Sequence, residues 1–192
     1  MIRKLVSLFL SAMMLLSLTG AAAEGGVTVT DMMGREVTLT QPATRIVALT
    51  ASDCEILCAL GAEDTLVGRG EYCDYPESIL DVPAVQSGAE TNIEQIIALE
   101  PQVVLMSAMA QDKDQVDTLE QAGIQVVVSN AQNIAGVYTA IRLIGALMGR
   151  DDEAEAIVAD MQATFDDIAA KSENTGKTVY FEVSPLEYGL WT

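Results

Sequence analysis

The chain contains no histidine. Histidine is the side chain that most often serves as a general base near neutral pH, and its imidazole is a principal zinc ligand. Its absence excludes Ser-His and Cys-His nucleophilic sites and zinc sites of the usual histidine type. We therefore expect no catalytic residue, no bound metal and no cofactor in this chain.

Basic residues are scarce as well. Ten lysines and arginines stand against 28 aspartates and glutamates, for a net charge of −18, and no basic cluster reverses this excess locally. A surface that acidic repels nucleic acid and anionic lipid and favours solubility. Nucleic-acid binding is thus the first class of function that the sequence excludes.

Motifs for nucleotide or dithiol chemistry are missing too. The segment Gly68-Arg69-Gly70 lacks the third glycine and the following helix of a phosphate-binding loop, and no C-x-x-C pair occurs. An enzymatic alternative would have to use a cysteine thiol without a histidine base.

The first 23 residues have the layout of a secretory signal peptide. Arg3 and Lys4 form a basic start, residues 5–18 an apolar core, and residues 21–23 a small-residue cleavage site. The core is too short for the alternative, an N-terminal membrane anchor, and no cysteine at the cleavage site suggests a lipid anchor. We expect an exported protein, periplasmic or extracellular and associated with the cell envelope. Removal of the two basic residues leaves eight against 28 acidic ones, a net charge of −20.

Three cysteines in an exported chain leave one without a partner. Cys54 follows the first predicted strand of a parallel sheet and Cys73 follows the second, so both are expected at its carboxyl edge. A Cys54–Cys73 disulfide is compatible with that placement if the Cα atoms lie within ~7 Å, and free thiols are the alternative. Cys58 lies one turn beyond Cys54 on an apolar helix face and is interpreted as a small core residue.

Short apolar segments alternate with helical ones along most of the chain. Residues 27–30 and 35–40 predict a β-hairpin with Gly34 in its turn. Strands that are apolar on both faces and alternate with helices indicate an α/β fold, a parallel-sheet sandwich lobe with helices on both faces. The strands are predicted at 46–49, 66–68, 103–106 and 124–128, and the helices between a Ser52 cap and Gly61, at 93–99 after an Asn92 or Thr91 cap, at 114–122 and at 134–148.

The last part of the chain has a different pattern. Residues 151–171 predict a long amphipathic helix whose buried stripe is Ile157, Met161, Phe165 and Ile168. Residues 177–183 predict a strand that has no partner before the chain ends at Thr192. Because one strand cannot bury its own faces, we expect the chain to be cut within a second lobe.

Ligands of parallel α/β sheets bind outside the carboxyl ends of the strands. Tyr72 offers a flat face and a hydroxyl there, which suit the edge of a macrocycle or a catecholate chelate, although a tyrosine packed over a loop is the alternative. The candidate ligand-binding residues at this edge are Thr50, Ser52, Tyr72, Cys73, Ser87 and Gly88.

The ordered set of segments resembles the first lobe of the substrate-binding proteins of ABC importers for cobalamin, haem and ferric siderophores. The segments are RIVALT (45–50), SDCEILCALG (52–61), EYCDYP (71–76), TNIEQIIALEP (91–101) and VVLM (103–106), and the resemblance extends over about residues 27–192. The lack of histidine argues against the zinc- and manganese-capturing branch of the same superfamily.

The resemblance implies two lobes joined by one long helix. It divides the chain into a signal peptide (1–23), an N-terminal α/β lobe (24–150), an interlobe backbone helix (151–173) and the start of a truncated C-terminal lobe (174–192).

The resemblance also implies roles for single residues. Tyr72 matches an aromatic residue that contacts ligand in the corrinoid-binding members, and Trp191 matches an aromatic at the mouth of the second lobe. Glu94 matches a glutamate that docks onto arginines of the membrane permease; helix-start electrostatics is the alternative. Gly88 stands where a corrinoid binder has a large aromatic, which weighs against cobalamin as the specific ligand.

These observations predict a monomeric solute-binding receptor that captures an iron–siderophore, haem or corrinoid between two lobes and delivers it to an ABC permease. Two alternatives remain: an exported sensor or adhesion module on the same fold, and an exported thiol enzyme that uses Cys54, Cys58 or Cys73.

Overall fold

A five-stranded parallel sheet organises the chain. The computed structural model describes residues 25–88, 90–108, 113–172, 176–178 and 180. The strands lie in the order β5-β4-β3-β6-β7, and every neighbouring pair is parallel. Their bounds are Ile46–Ala48 (β3), Leu66–Gly70 (β4), Ala84–Val85 (β5), Val103–Met106 (β6) and Gln125–Val128 (β7). The predicted α/β class is confirmed.

The sheet is buried on both faces because its central strands are apolar at every position. All residues of β3 and β6 are buried. On one face, Val47, Val104 and Val126 join a core with residues of two helices, Ile96 of α2 (Ile93–Ala98) and Leu119 of α3 (Lys113–Gln121). On the other face, α1 (Ala51–Ala59) and α4 (Ile134–Leu147) contact each other. This two-sided cover explains the continuous apolar strands.

The predicted hairpin is confirmed. Strands β1 (Val27–Thr30) and β2 (Glu36–Leu39) are antiparallel, with Gly34 at φ +81° in the turn. The buried Asp31 carboxylate accepts hydrogen bonds from the backbone N–H groups of Met33, Arg35 and Val128 and from the Arg35 guanidinium. Asp31 thus joins the hairpin to the end of β7.

The sequence predicted Ser52 as the cap of one helix and Asn92 or Thr91 as the cap of another. Asn92 caps α2 through the Gln95 N–H, which is one of the two predicted options. The predicted Ser52 cap of α1 is wrong: Thr50 has the extended backbone of the cap, at φ −117° and ψ 147°, and its hydroxyl accepts from the Asp53 N–H. Both hydroxyl residues are good caps, so only the point at which the chain leaves β3 decides between them.

The long helix is present as α5 (Asp151–Lys171), but its predicted buried stripe is wrong, because none of Ile157, Met161, Phe165 and Ile168 is buried. The buried residues are Ala154 and Val158, whereas Phe165 is 42 % and Ile168 56 % exposed. The described residues fall into two compact units, one through Val158 and the other from Ala159. The buried positions of α5 belong to the first unit, and helical periodicity alone cannot show which part of a stripe is covered.

The predicted strand at 177–183 falls mostly outside the described residues, and Lys177, Thr178 and Tyr180 belong to no strand. The predicted signal peptide and Trp191 also lie outside them. Within the described ranges, no helix is both long and apolar enough to cross a membrane.

Candidate functional site

The strand order creates a crevice beside β3. The chain runs from β3 to β4 and β5 on one side and then returns to place β6 and β7 on the other. The connections that leave the carboxyl ends of β3 and β6 therefore diverge, and such switch points are where open α/β sheets bind ligands.

A cavity of about 310 Å³ opens at this switch point. Its wall combines polar residues that directly follow strands with apolar residues of α1 and α4. Thr50 follows β3, Ser107 follows β6 and Ser129 follows β7. The remaining lining residues are Ser52, Ile56, Asn130, Ala131, Gln132, Val137 and Ala140.

The sequence analysis anticipated only part of this lining. Thr50 and Ser52 are among the predicted residues, whereas Ser107, Ser129 and Asn130 were missed. The signal for them was present, because the carboxyl-edge rule that selected Thr50 applies equally to the ends of β6 and β7.

A buried carboxyl group is hydrogen-bonded to residues that line the cavity. Asp53, the third residue of α1, is 0 % exposed, and the Thr50 hydroxyl donates to its Oδ2 at 2.5 Å. Burial raises the pKa of Asp53 from its ordinary 3.8 to about 6, against hydrogen bonding by Thr50 and Ser129 that lowers it. Within the described residues, Oδ1 has no hydrogen bond of normal geometry. A buried carboxyl that lacks full hydrogen bonding costs stability, which makes Asp53 unusual for a purely structural residue.

The other side of the edge follows β4 and carries aromatic side chains. Tyr72 is 78 % exposed, so the alternative in which it packs over a loop does not hold. Tyr75, three residues further along the same loop, is also exposed.

Arg69 holds the loop that follows β4 through hydrogen bonds to its backbone. Its guanidinium donates to the backbone carbonyls of Cys73 at 2.9 Å and Ile79 at 3.1 Å, with longer bonds to Gly70 and Leu80. The charged side chain thereby ties the end of β4 to the segment that leads into β5.

The remaining predicted residues lie apart from the cavity. Gly88, at φ +97°, and Ser87 follow β5 on the tyrosine side, and the space where a Gly88 side chain would begin is open. Glu94 is exposed in the first turn of α2. Trp191 lies outside the described residues.

Cys73 is buried, so its predicted contact with a ligand is not accessible at this edge. Its thiol is hydrogen-bonded to that of Cys54, a contact that raises the pKa of Cys54 and lowers that of Cys73. The glycine at position 70 leaves room for the Cys73 thiol. A side chain there would begin 2.5 Å from the Leu49 carbonyl oxygen and 3.1 Å from the Cys73 sulfur. Both cysteines are free thiols in the structure, as is Cys58, which is half-buried rather than a core residue.

A second cavity, of about 290 Å³, lies elsewhere on the sheet. It is lined by residues that precede β6 and begin β7, such as Gln102 and Gln125, together with residues 38–41. It therefore belongs to the amino edge, opposite to the edge where parallel sheets bind ligands.

Comparison with known proteins gives consistent matches. A profile of the periplasmic binding protein family matches residues 46–187. An uncharacterized ABC transporter substrate-binding lipoprotein of Bacillus subtilis, YvrC, is 35 % identical over 166 residues, which are 83 % of this chain and 52 % of that protein. The vitamin B12-binding protein of Vibrio campbellii is 28 % identical over 140 residues, 73 % of this chain and 51 % of that protein.

Solved structures agree with these matches. The periplasmic haem-binding protein HutB of Vibrio cholerae superimposes with a TM-score of 0.64 at 27 % identity, over 69 % of this chain and 51 % of that one. The chain thus spans about half the length of the relatives that it matches.

Proposed function

The chain belongs to the periplasmic binding protein family, and on that premise we propose that it supplies the ligand-capturing edge of a receptor for an ABC importer. The cargo would be an iron–siderophore, haem or corrinoid, held between this lobe and a second one. The observation that carries the proposal is the cavity at the switch point of the sheet, with exposed tyrosines on its other flank.

The two flanks suit different parts of a bulky chelate or macrocycle. Thr50, Ser52 and Ser129 offer directional hydrogen bonds from a partly apolar cavity, as small-molecule sites commonly do. Tyr72 offers a flat ring on which a macrocycle or catecholate can pack. Ser87 and Gly88 extend this flank, and the open space above Gly88 leaves room for the ligand.

Delivery requires contact with the importer, and the acidic surface of this lobe would make that contact. Exposed Glu94 would dock onto arginines of the permease, and Trp191 would close the ligand site from the second lobe. The receptor would act as a monomer outside the cytoplasm, and ATP hydrolysed by other subunits would supply the energy. No covalent step is assigned to this chain.

Binding proteins are what the named relatives have in common, and no enzyme is among those described above. The thiol-enzyme alternative also finds little in the site, because Cys54 and Cys73 are buried and burial raises the pKa of Cys58. The comparisons offer no support for an adhesion or sensor module.

A thermal-shift titration of the full chain tests the proposal. Cyanocobalamin, dicyanocobinamide, haemin and several ferric siderophores would each be added to the exported protein. A ligand that binds only the native state stabilises it by ~2.7 kcal/mol at a hundredfold excess over its Kd. We expect one class of compound to raise the midpoint; a folded protein that responds to none of them would contradict the proposal.

Tyr72 provides the matched pair of variants for this titration. Tyr72→Phe keeps the ring and should keep the shift, whereas Tyr72→Ala should reduce it. Equal shifts in both variants and the wild type would remove Tyr72 from the ligand site while leaving the receptor function intact.

A further inference from the structure

The buried Asp53 controls the direction of the hydroxyl groups above it. The Thr50 hydroxyl has one proton, and the 2.5 Å bond to Oδ2 commits that proton to the carboxyl group. An ionised carboxylate only accepts hydrogen bonds, so no other donor assignment is consistent with this contact. Burial raises the pKa of Asp53 only to about 6, so the carboxyl group is mostly ionised at the pH of 7.5 used below.

This commitment fixes the next hydroxyl as well. The oxygens of Thr50 and Ser52 lie 3.3 Å apart, a distance at which either group can donate. Since the Thr50 proton is already used, Ser52 must be the donor. The two hydroxyls therefore form a relay in which each proton points towards Asp53.

Ser129 reaches the same carboxyl from the other side of the crevice. It follows β7, is almost completely buried, and acts as a second hydrogen-bonding neighbour of Asp53. A hydroxyl beside a carboxylate donates to it. Its proton is therefore also directed away from the cavity.

Thr50, Ser52 and Ser129 line the cavity together with Ser107, whereas Asp53 is fully buried and is not part of the lining. A hydroxyl whose proton is committed elsewhere can offer only its oxygen lone pairs to a ligand. Oδ1 of Asp53 is buried and has no hydrogen-bond partner among the described residues, so the carboxyl group keeps unused acceptor capacity. The hydroxyls of Thr50, Ser52 and Ser129 consequently donate no hydrogen bond to a ligand in the cavity, whereas the oxygens of Ser52 and Ser129 can accept one.

We propose that Asp53 is a positioning residue that makes this cavity select a ligand rim bearing N–H or O–H donors, such as primary amides, over a rim bearing carboxylates. The inference rests on the proposed function, which it deepens by naming the chemistry of the preferred rim. Among the classes of cargo considered, it favours an amide-rimmed corrinoid over haem with its two propionates.

A structural role alone makes a different prediction. An aspartate three residues after a threonine cap is a familiar helix-start arrangement, and its loss would lower stability without changing which ligand binds. The test therefore measures a ratio of affinities, which a loss of stability does not move.

The experiment compares the Kd values of dicyanocobinamide, which carries primary amides, and haemin, which carries carboxylates, for the full chain at pH 7.5. We expect the wild type to prefer dicyanocobinamide. Asp53→Asn replaces an acceptor-only group by one that can also donate, which frees a hydroxyl proton for the cavity. The preference should then shift towards haemin by about tenfold, as expected for one reversed hydrogen bond.

Two further variants make the result interpretable. Asp31→Asn is the matched control, since Asp31 is also a buried aspartate but is bonded to the hairpin and to the backbone of β7; its ratio should equal that of the wild type. Ser129→Ala removes one acceptor without touching the helix cap and should reduce the preference by about threefold even if Asp53→Asn fails to fold.

The possible failures are distinct. Wild-type preference for haemin, or an unchanged ratio in folded Asp53→Asn and Ser129→Ala, would overturn the inference and leave the receptor function standing. Binding of neither probe nor of any siderophore would overturn the proposed function, and the inference with it.

Discussion

The two flanks of the carboxyl edge are built on opposite principles. Beside β3, β6 and β7, small hydroxyl residues surround a buried carboxyl group, and the polar atoms are held by a helix cap and by strand ends. Beside β4, an exposed ring stands on a loop whose backbone carbonyls accept hydrogen bonds from Arg69 and whose Cys73 thiol contacts Cys54. The first flank can distinguish ligand groups that donate hydrogen bonds from groups that accept them. The second flank can supply apolar contact area to the ligand.

The comparison also shows where each flank is vulnerable. The polar flank depends on the protonation state of Asp53, because that carboxyl group orients the hydroxyls of the flank. The aromatic flank depends on one arginine and on a pair of thiols beneath it. Changes at these points should affect one flank and spare the other.

The largest expected effect comes from breaking the support of the aromatic flank. Arg69→Ala removes a charged donor from four carbonyl groups, and at about 1 kcal/mol for each lost bond the free energy of unfolding should fall by about 4 kcal/mol. Urea denaturation measures this. Arg69→Lys keeps the charge but not the planar fork, so it should restore less than half of the loss. A loss below about 1 kcal/mol would show that the loop is held by other contacts.

The thiol pair joins the two flanks, since Cys54 lies on α1 and Cys73 follows β4. In an oxidising compartment we expect them to form a disulfide by exchange with a donor disulfide, which is reduced to two thiols as the pair is oxidised. Closing a loop of this length should stabilise the protein by about 3 kcal/mol over its reduced form.

Intact mass and peptide mapping of the exported protein measure this prediction. A loss of two hydrogens with a Cys54–Cys73 linked peptide is expected, and Cys58 should remain free. Alkylation of all three cysteines in the denatured, unreduced protein would contradict it.

The polar flank can be probed through pH. The pKa of Asp53 is about 6 in the folded protein and 3.8 when unfolded, so the folded state binds the extra proton between these values. The associated stability is present below pH 4 and is lost as the pH rises through 6. Relative to Asp53→Asn, the wild type should therefore lose about 2 to 3 kcal/mol between pH 4 and pH 7.5.

Denaturation of both proteins at the two pH values checks this difference, and Asp31→Asn supplies a control of opposite sign. Burial alone would raise the pKa of Asp31, but hydrogen bonds from Arg35, Val128 and Met33 hold it below its ordinary value. The stability contributed by Asp31 is therefore lost as the pH falls. The same sign in both variants would contradict the assignment.

The smallest expected effect comes from removing the exposed ring of the aromatic flank. Tyr72→Ala should weaken binding of the responding ligand about tenfold, as expected for loss of one aromatic packing contact, without a change in the midpoint of the unliganded protein. Calorimetric titration measures the change. A variant that also unfolds earlier would indicate that the ring has a structural role despite its exposure.

The sequence was most informative where local chemistry decides the outcome. The apolar strands and the hairpin turn at Gly34 follow from short-range patterns and were predicted correctly, and the Asn92 cap was one of two predicted options. Tyr72 was predicted as a ligand-binding residue from its place after a parallel strand, and the structure shows it exposed there.

The sequence was least informative where distant segments meet. Asp53 resembles an ordinary helix-start acid, and its burial becomes apparent only when Ser129, 76 residues later, is placed beside it. The exposure of Phe165 and Ile168 similarly depends on which elements cover α5, which periodicity does not specify. Strand order was needed to locate the switch point between β3 and β6, and hence the part of the carboxyl edge that holds the cavity.

The central claim, that one ligand occupies the carboxyl edge and contacts both flanks, is tested most directly by hydrogen–deuterium exchange of the full chain with and without the ligand that raises its midpoint. The amino-edge cavity, of nearly equal volume, is the internal control. We predict slowed exchange at residues 50–53, 71–75 and 129–132 and no change at residues 38–41. Protection confined to the amino edge, or to only one flank of the carboxyl edge, would contradict the account.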